Sequence, residues 1–205
     1  MKTKLSYLSG ILIFGINIGC AGEGLSGNKD HQESKSMNAT SQGYDGDSGT
    51  IDSQYSGRKV LDLSIDVGAT TLSFVPLDRD FKVSWKKGAS CERIEVRENS
   101  SGLEVKHLDR DGSCGESKIE LLVNEKLSTR FNGGTGFLSV SNLGKFMSYA
   151  DEINAVVMAG QIDAYVDGLE VERKWSQMSA YYHNNKNSGI SLKIAMGAGS
   201  VALRR

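Results

Sequence analysis

The chain has 205 residues, which is enough for one ordinary domain with additional segments but too short for two domains of typical size. Lysine and arginine number 24 and aspartate and glutamate 25, so the formal net charge at neutral pH is −1. This balance excludes the overall positive field that attracts nucleic acid, and we expect no nucleic-acid partner. The 24 glycines against a single proline, Pro76, are typical of a β-rich protein in which glycine marks the turns.

The first 19 residues have the features of an export signal. Lys2 and Lys4 give a short basic start, and a largely apolar stretch from Leu5 to Ile18 follows. A membrane-spanning helix needs about 20 apolar residues, and this stretch is shorter. Small residues rather than a cluster of charges come after it. We therefore predict a signal peptide over residues 1–19.

Cys20 stands directly behind this segment and is preceded by Gly19 and followed by Ala21. The arrangement resembles the bacterial lipobox, in which a small residue precedes a cysteine that is acylated on sulfur and becomes the mature N-terminus. The lipobox usually has leucine three residues before the cysteine, whereas this chain has Asn17. The resemblance implies a lipoprotein of the bacterial cell envelope, at the outer membrane, with Cys20 carrying the lipid anchor. The alternative is ordinary signal cleavage after Ala21.

Residues 20–58 are predicted to form a flexible tether. From Ala21 to Arg58 the composition is dominated by Gly, Ser, Asp, Asn, Gln and Glu. A segment of this kind buries too little apolar surface to offset the entropy that ordering it would cost. Such a tether would hold a folded domain, residues 59–205, away from the membrane surface.

A repeated pattern begins at Val60. Apolar or small residues alternate over seven positions, a glycine follows, and an apolar residue comes six positions after the glycine. The four units run from Leu61 through Gly68 to Phe74, from Leu127 through Gly134 to Val140, from Ile153 through Gly160 to Val166, and from Ile190 through Gly197 to Leu203. Alternation with a period of two predicts half-buried strands that turn at each glycine.

A unit of this kind cannot bury its apolar face alone, so we expect the four units to stack around one continuous core. The positions three residues before each glycine would then be equivalent inward-facing positions. They are Ile65, Phe131, Val157 and Ile194.

Further strands are predicted between the first two units. Their alternating apolar residues are Ile94, Val96, Leu103, Val105, Ile119, Leu121 and Val123. The segment from Asn99 to Gly102 has the composition of a hairpin turn between two of these strands.

Two later stretches are ambiguous between strand and helix. The residues with helical spacing are Phe146, Tyr149 and Ile153 in the first stretch and Trp175, Met178 and Tyr182 in the second. We expect strands in both, because the segments 142–144 and 184–189 have the composition of turns between strands.

Cys91 and Cys114 are the two cysteines that remain if Cys20 is acylated, since the chain has three. An exported protein folds in an oxidising compartment, and both residues lie beside turn-like segments. We predict a disulfide between them, which would close a loop of about 24 residues and contribute about 3 kcal/mol to stability. The alternative is two free thiols or two small buried side chains.

Several of these features together carry a resemblance to a known family. They are the alternating strand with Gly68, the strand from Ile119 to Val123, and the turns at Gly134, Gly160 and Gly199, each followed by an apolar strand. Residues 59–205 resemble the putative adhesin domain of bacterial envelope proteins, a family of unknown function. The resemblance implies an all-β fold, either a right-handed β-solenoid or a twisted β-sandwich built from stacked strand–glycine–strand repeats. This chain lacks the aspartate of the family's small-Gly-Asp turn at residues 135–137 and 160–162.

No catalytic site is predicted. The histidines, His31, His107 and His183, are far apart in the sequence, and nothing places a nucleophile beside a base. His107 with Asp109 and Asp111 forms a polar cluster that we interpret as a solvated loop. Metal-ligand spacings and phosphate-binding glycine motifs are absent from the sequence. We therefore expect a non-enzymatic protein without a metal or cofactor.

One stretch has the composition of a binding surface. Arg173, Trp175, Tyr181 and Tyr182 lie close together in the sequence, and Trp, Tyr and Arg dominate binding hot spots. The competing interpretation is ordinary strand packing with basic side chains at the surface. We expect an interaction or structural module whose partner is a protein or a cell-surface polymer. The alternative is a lipoprotein that binds a small ligand or glycan through this aromatic patch.

Overall fold

The computed structural model describes residues 42–89, 91, 93–108 and 117–205. In these ranges the protein is nearly all β-structure, arranged as one large mixed sheet that does not close on itself. The prediction of an all-β protein is confirmed. The predicted signal peptide and the lipid anchor at Cys20 lie outside the described residues.

Twelve strands and one short helix make up the described part of the chain. They are β1 (Gln42–Asp45), β2 (Ser48–Asp52), β3 (Val60–Val75), β4 (Phe81–Lys86), β5 (Arg93–Glu98), β6 (Gly102–Leu108), β7 (Lys118–Asn124), β8 (Ser128–Ser141), α1 (Leu143–Met147), β9 (Glu152–Tyr165), β10 (Glu170–Lys174), β11 (Gln177–His183) and β12 (Ser191–Arg204). The four predicted units correspond to the four long strands β3, β8, β9 and β12. The predicted turn inside each unit is wrong, because each strand continues through its glycines without interruption.

The long strands lie side by side, all parallel, in the order β3-β8-β12-β9. One glycine of each strand falls in a single row across them: Gly68, Gly136, Gly199 and Gly160. Their φ angles lie between 116° and 153°, where residues with a side chain are strained. A Cβ on Gly160 would also lie only 1.7 Å from the carbonyl oxygen of Gly199. Only glycine can therefore occupy these four aligned positions.

The buried positions change phase at the glycine row. On β3, Leu61, Leu63 and Ile65 are buried before the row, and Leu72 and Phe74 are buried after it. The first set has odd residue numbers and the second even ones, so one extra residue is accommodated at the glycine. Both halves of each long strand thus direct side chains into the same core cluster.

The predicted alignment of the four units is wrong by two residues in β8 and β12. Phe131 lies beside Leu63 rather than beside Ile65, and Ile194 lies in the same row as Phe131. The bends of these two strands fall at Gly136 and Gly199, two residues later than predicted. A shift of two preserves the face on which a side chain lies. All four predicted inward positions are accordingly buried.

The connections between the long strands differ from the predicted succession of units, because β12 lies between β8 and β9. A short helix, α1, connects β8 to β9, so the strand predicted there is wrong. Leu143, Phe146 and Met147 are spaced to share one helical face and are buried in the core. The ring of Phe146 stacks on Phe74 with 4.1 Å between the ring centroids. No helix among the described residues is long and apolar enough to cross a membrane.

Two groups of shorter strands pair with the edge of β3 that faces away from β8. The first half of β3 pairs with β6, which continues to β5 and β1, and the second half pairs with β7, which continues to β4 and β2. The predicted strands in this region are confirmed, and so is the hairpin between β5 and β6. In that turn, Oδ1 of Asn99 accepts hydrogen bonds from the backbone N–H groups of Ser101 and Gly102.

The predicted end of the tether at residue 58 is wrong, because residues 42–58 belong to the β-domain. β1 pairs with β5 and β2 pairs with β4, and Ile51 is buried in the core. Edge strands are joined to a sheet by main-chain hydrogen bonds, which a polar sequence supplies as well as an apolar one. Residues 20–41 of the predicted tether lie outside the described residues.

Arg58 is the centre of a buried charge cluster. Its Nη1 donates to Oδ2 of Asp80 at 2.8 Å, and its Nη2 donates to Oε1 of Glu98 at 3.0 Å. The carbonyl oxygens of Asn99 and Ser100 accept two further hydrogen bonds from the guanidinium. Asp80 directly precedes β4 and Glu98 ends β5, so Arg58 links strands from the two groups that flank β3.

Candidate interaction site

The β10–β11 hairpin carries the most exposed aromatic side chain among the described residues. Lys174 pairs with Gln177, so the turn between the strands consists of Trp175 and Ser176. Trp175 is 100% exposed and has a φ of 57°, a left-handed conformation that is uncommon for a bulky residue. A two-residue hairpin turn requires such a φ and is normally occupied by Asn or Gly. The hairpin therefore presents an indole ring to solvent at its tip.

The structure divides the four residues of the predicted aromatic patch. Arg173 lies opposite Met178, and Tyr181 lies opposite Glu170. Residues an odd number of positions apart on one strand face opposite sides of the sheet, so Tyr181 and Tyr182 point away from each other. Tyr182 packs on the core, whereas Arg173, Trp175 and Tyr181 are exposed. The predicted patch grouped them by nearness in the sequence, whereas alternation along β11 places Tyr181 and Tyr182 on opposite faces.

β10 is the outermost strand at its end of the sheet, and no described strand pairs with its outer edge. All five of its side chains, from Glu170 to Lys174, are exposed. A free strand edge offers unpaired N–H and C=O groups to a partner, and charged side chains on it discourage indiscriminate pairing. Lys174 and Glu172 form an ion pair of 3.1 Å on this strand. The hairpin thus has an exposed edge strand with mostly charged side chains and one large aromatic side chain at its tip.

A second surface lies on the solvent side of β8, β12 and β9, before the glycine row. It is an open groove of about 310 Å³, which we name the outer-face groove. Its lining residues are Arg130, Phe131, Asn132, Asn154, Val156, Lys193, Ile194 and Ala195. Ala195 lies between Asn132 and Val156 in the register, and its short side chain on the central strand leaves the space open.

The outer-face groove has two cations side by side. Arg130 and Lys193 are direct neighbours in the register of β8 and β12, an arrangement of like charges that is unfavourable by itself. Each reaches to a carboxylate on its other side, Arg130 to Asp62 at 3.6 Å and Lys193 to Glu152 at 3.8 Å. Both distances exceed that of a good hydrogen bond. Asn154 follows Lys193 in the same row, and its Oδ1 is shielded from solvent without a hydrogen-bond partner.

Sequence reasoning missed the outer-face groove. Its lining residues come from three separate units, and all of them except the buried Phe131 and Ile194 occupy outward positions of the alternation, which do not form an apolar pattern. Only the register of three parallel strands brings them together.

The histidines are not brought together in the described residues. The side chain of His107 is buried, and its Nδ1 lies 2.5 Å from Oδ1 of Asp66. The predicted neighbours of His107 at positions 109 and 111, and His31, lie outside the described residues. His183 is exposed and its Nε2 lies 3.0 Å from Oδ1 of Asn185. Among the described residues, no group of three His, Cys, Asp or Glu side chains could hold a metal ion.

The predicted disulfide involves Cys114, which lies outside the described residues, so the pairing stays a prediction. Cys91 is buried, and its Sγ lies 2.9 Å from Oγ of Ser117.

No protein-family model and no curated protein matches the chain. A solved structure of a protein described as a putative cell adhesion protein, from Clostridium sporogenes, is similar to it with a TM-score of 0.37 and 12% sequence identity. The match covers 80% of this chain and 98% of that chain.

Proposed function

We propose that this protein is a non-enzymatic lipoprotein of the bacterial cell envelope whose β-domain binds another macromolecule through the β10–β11 hairpin. The observation that carries the proposal is the fully exposed Trp175 at the tip of that hairpin. The partner is a protein or polymer of the cell surface, which is an adhesin-like role. The lipobox-like sequence at Cys20 and the family resemblance support the envelope location.

Trp175 has the properties of a binding anchor. An aromatic side chain buries about 150–250 Å² in a contact, equivalent to about 4–6 kcal/mol at 25 cal/mol per Å². In the free protein Trp175 contributes none of this burial free energy, because its side chain is 100% exposed. Its left-handed backbone also costs about 1–2 kcal/mol relative to a residue suited to the turn. An exposed, locally unfavourable tryptophan is readily explained if a partner covers it.

We infer that the fold is the twisted β-sandwich rather than the solenoid. The phase change at the glycine row supports this, because it lets both halves of the sheet pack on one core. The strand order supports it as well, since a solenoid stacks its repeats in chain order, whereas here β12 lies between β8 and β9. A proteolysis experiment tests the inference: a solenoid should lose its C-terminal strand without unfolding the rest, whereas the sandwich should unfold as a whole.

The contact through Trp175 is tested by photo-crosslinking of the full-length protein in the cell envelope. We expect p-benzoylphenylalanine in place of Trp175 to give a light-dependent adduct, and the same amino acid in place of Lys118, an exposed residue of β7, to give none. With the captured partner purified, Trp175→Ala should weaken binding by about 30-fold, the effect of a hot-spot residue. Wild-type affinity of Trp175→Ala, or equal adducts at both positions, would contradict the proposal.

The lipid anchor is tested separately by Cys20→Ser. We expect this variant to leave the membrane fraction, because the acylated N-terminus is the proposed attachment. Wild-type protein should incorporate a palmitate analogue during growth and the variant should not. An unlabelled wild-type chain would show that the signal is cleaved without lipidation.

A further inference from the structure

We propose that the outer-face groove is a binding site for a hexuronate unit of an acidic polysaccharide. The groove is separate from the tip of the β10–β11 hairpin. The proposed binding of a sugar in the groove therefore does not depend on the proposed contact through Trp175. Its chemistry follows from two rows of side chains that run across β8, β12 and β9.

The first row supplies the carboxylate site. Arg130 and Lys193 are adjacent in the register. Each forms a long ion pair with a carboxylate that does not lie between them, Arg130 with Asp62 and Lys193 with Glu152. A carboxylate of the ligand placed between them would relieve the repulsion of the two cations and accept charge-assisted hydrogen bonds from both. The existing ion pairs are exposed and long, so little is lost if they rearrange.

Asn154 supplies a hydroxyl site beside the carboxylate site. It is the register neighbour of Lys193, and its Oδ1 is shielded from solvent and accepts no hydrogen bond. A shielded acceptor without a donor is unfavourable in the free protein. When the side chain turns this oxygen toward the groove, a sugar hydroxyl next to the carboxylate would donate to it and satisfy it. Asn132, on the opposite side of Ala195, offers a second amide to the ligand.

The second row and Tyr181 supply apolar contact. Ala195 and Val156 are neighbours in the register and form the apolar part of the groove. Tyr181 lies opposite Asn154 on β11 and is 43% exposed, so its ring borders the first row. A pyranose ring has one C–H face and a rim of hydroxyl groups, and this combination of apolar surface with amides and cations suits it.

The charge of the groove argues for one carboxylate per sugar rather than a dense polyanion. Arg130 and Lys193 are balanced by Asp62 and Glu152, so the four side chains together are neutral. A nucleic acid or a run of acidic residues would meet the two flanking carboxylates. A hexuronate brings a single negative charge between the cations and presents neutral hydroxyl groups elsewhere. At about 310 Å³ the groove lies near the lower limit of ligand sites, which suits one sugar unit of a chain.

The test uses the full-length protein and four probes, measured by calorimetry at low salt: trigalacturonate, galacturonate, maltotriose and hexa-aspartate. We expect trigalacturonate to bind, maltotriose and hexa-aspartate to show no binding, and galacturonate to bind more weakly than the trimer. Arg130→Gln and Asn154→Ala should each weaken trigalacturonate binding by about tenfold, the effect of losing a hydrogen bond with a charged or shielded partner.

Arg97→Gln is the matched control, because Arg97 is an exposed, ion-paired arginine of β5 outside the groove. It should bind trigalacturonate like the wild type. Melting temperatures of the variants establish that Arg130→Gln and Asn154→Ala remain folded. Absence of trigalacturonate binding, or equal losses with Arg97→Gln, would overturn the site. Equal binding of maltotriose or hexa-aspartate would overturn the acidic-sugar ligand, and equal binding of galacturonate would overturn the polysaccharide.

Discussion

Val157→Asp should unfold the β-domain, whereas Val156→Asp should leave it folded. Val157 is fully buried beside Met196 and Met178 in the sheet, and it belongs to the core cluster. An aspartate there would place an unpaired carboxylate in an apolar interior, or would have to be protonated. The cost of several kcal/mol is comparable with the whole stability of a domain of this size, about 5–15 kcal/mol.

Val156 is the matched control for this prediction. It is the adjacent residue of β9 but lies on the outer face, partly exposed, and lines the outer-face groove. Val156→Asp should change the free energy of unfolding by only about 0.5 kcal/mol, as for an ordinary surface substitution. Circular dichroism melts of the two variants measure the contrast. Similar melting temperatures would mean that the strand does not separate its two faces as the structure has it.

Arg58→Met should lower the free energy of unfolding by about 3–5 kcal/mol. The side chains of Arg58, Asp80 and Glu98 are 7%, 5% and 1% exposed, so the substitution would leave two carboxylates buried without their cation. The guanidinium also lies over the ring of Tyr55 at 4.5 Å, and this contact would be lost. Urea denaturation measures the change.

Two further variants separate the charge effect from a loss of packing. Arg97→Met breaks an exposed pair with Glu95 and should cost less than about 1 kcal/mol. The triple variant Arg58→Met, Asp80→Asn, Glu98→Gln should be more stable than Arg58→Met alone, because it removes the unpaired charges. If the triple variant were less stable than the single one, the buried charges would not be the cause.

The two buried residues Val157 and Arg58 differ in how far their roles can be predicted from the sequence. The burial of Val157 follows from alternation with a period of two, which is a local property of any strand with one face in a core. The role of Arg58 does not, because its partners Asp80 and Glu98 are 22 and 40 residues away in the chain. In a polar segment an arginine is normally exposed, and composition alone therefore assigned Arg58 to the tether.

The sequence by itself determined the all-β character, the positions of the four repeated units, the hairpin at Asn99 and the face of each strand that is buried. Each of these depends on residues within a few positions of one another, since side chains on a strand alternate and turns have their own composition. The same local reasoning failed at α1, where three apolar residues fit either a strand or one helical face.

Only the tertiary structure decided which strands are neighbours and in what register. The insertion of β12 between β8 and β9, the attachment of β1 and β2 at the edges, and the two-residue shift of Phe131 and Ile194 all depend on contacts between distant segments. Period-two alternation is unchanged by a shift of two, so it cannot fix the register. For the same reason the outer-face groove, which joins Arg130, Lys193 and Asn154 from three units, exists only once those strands are aligned.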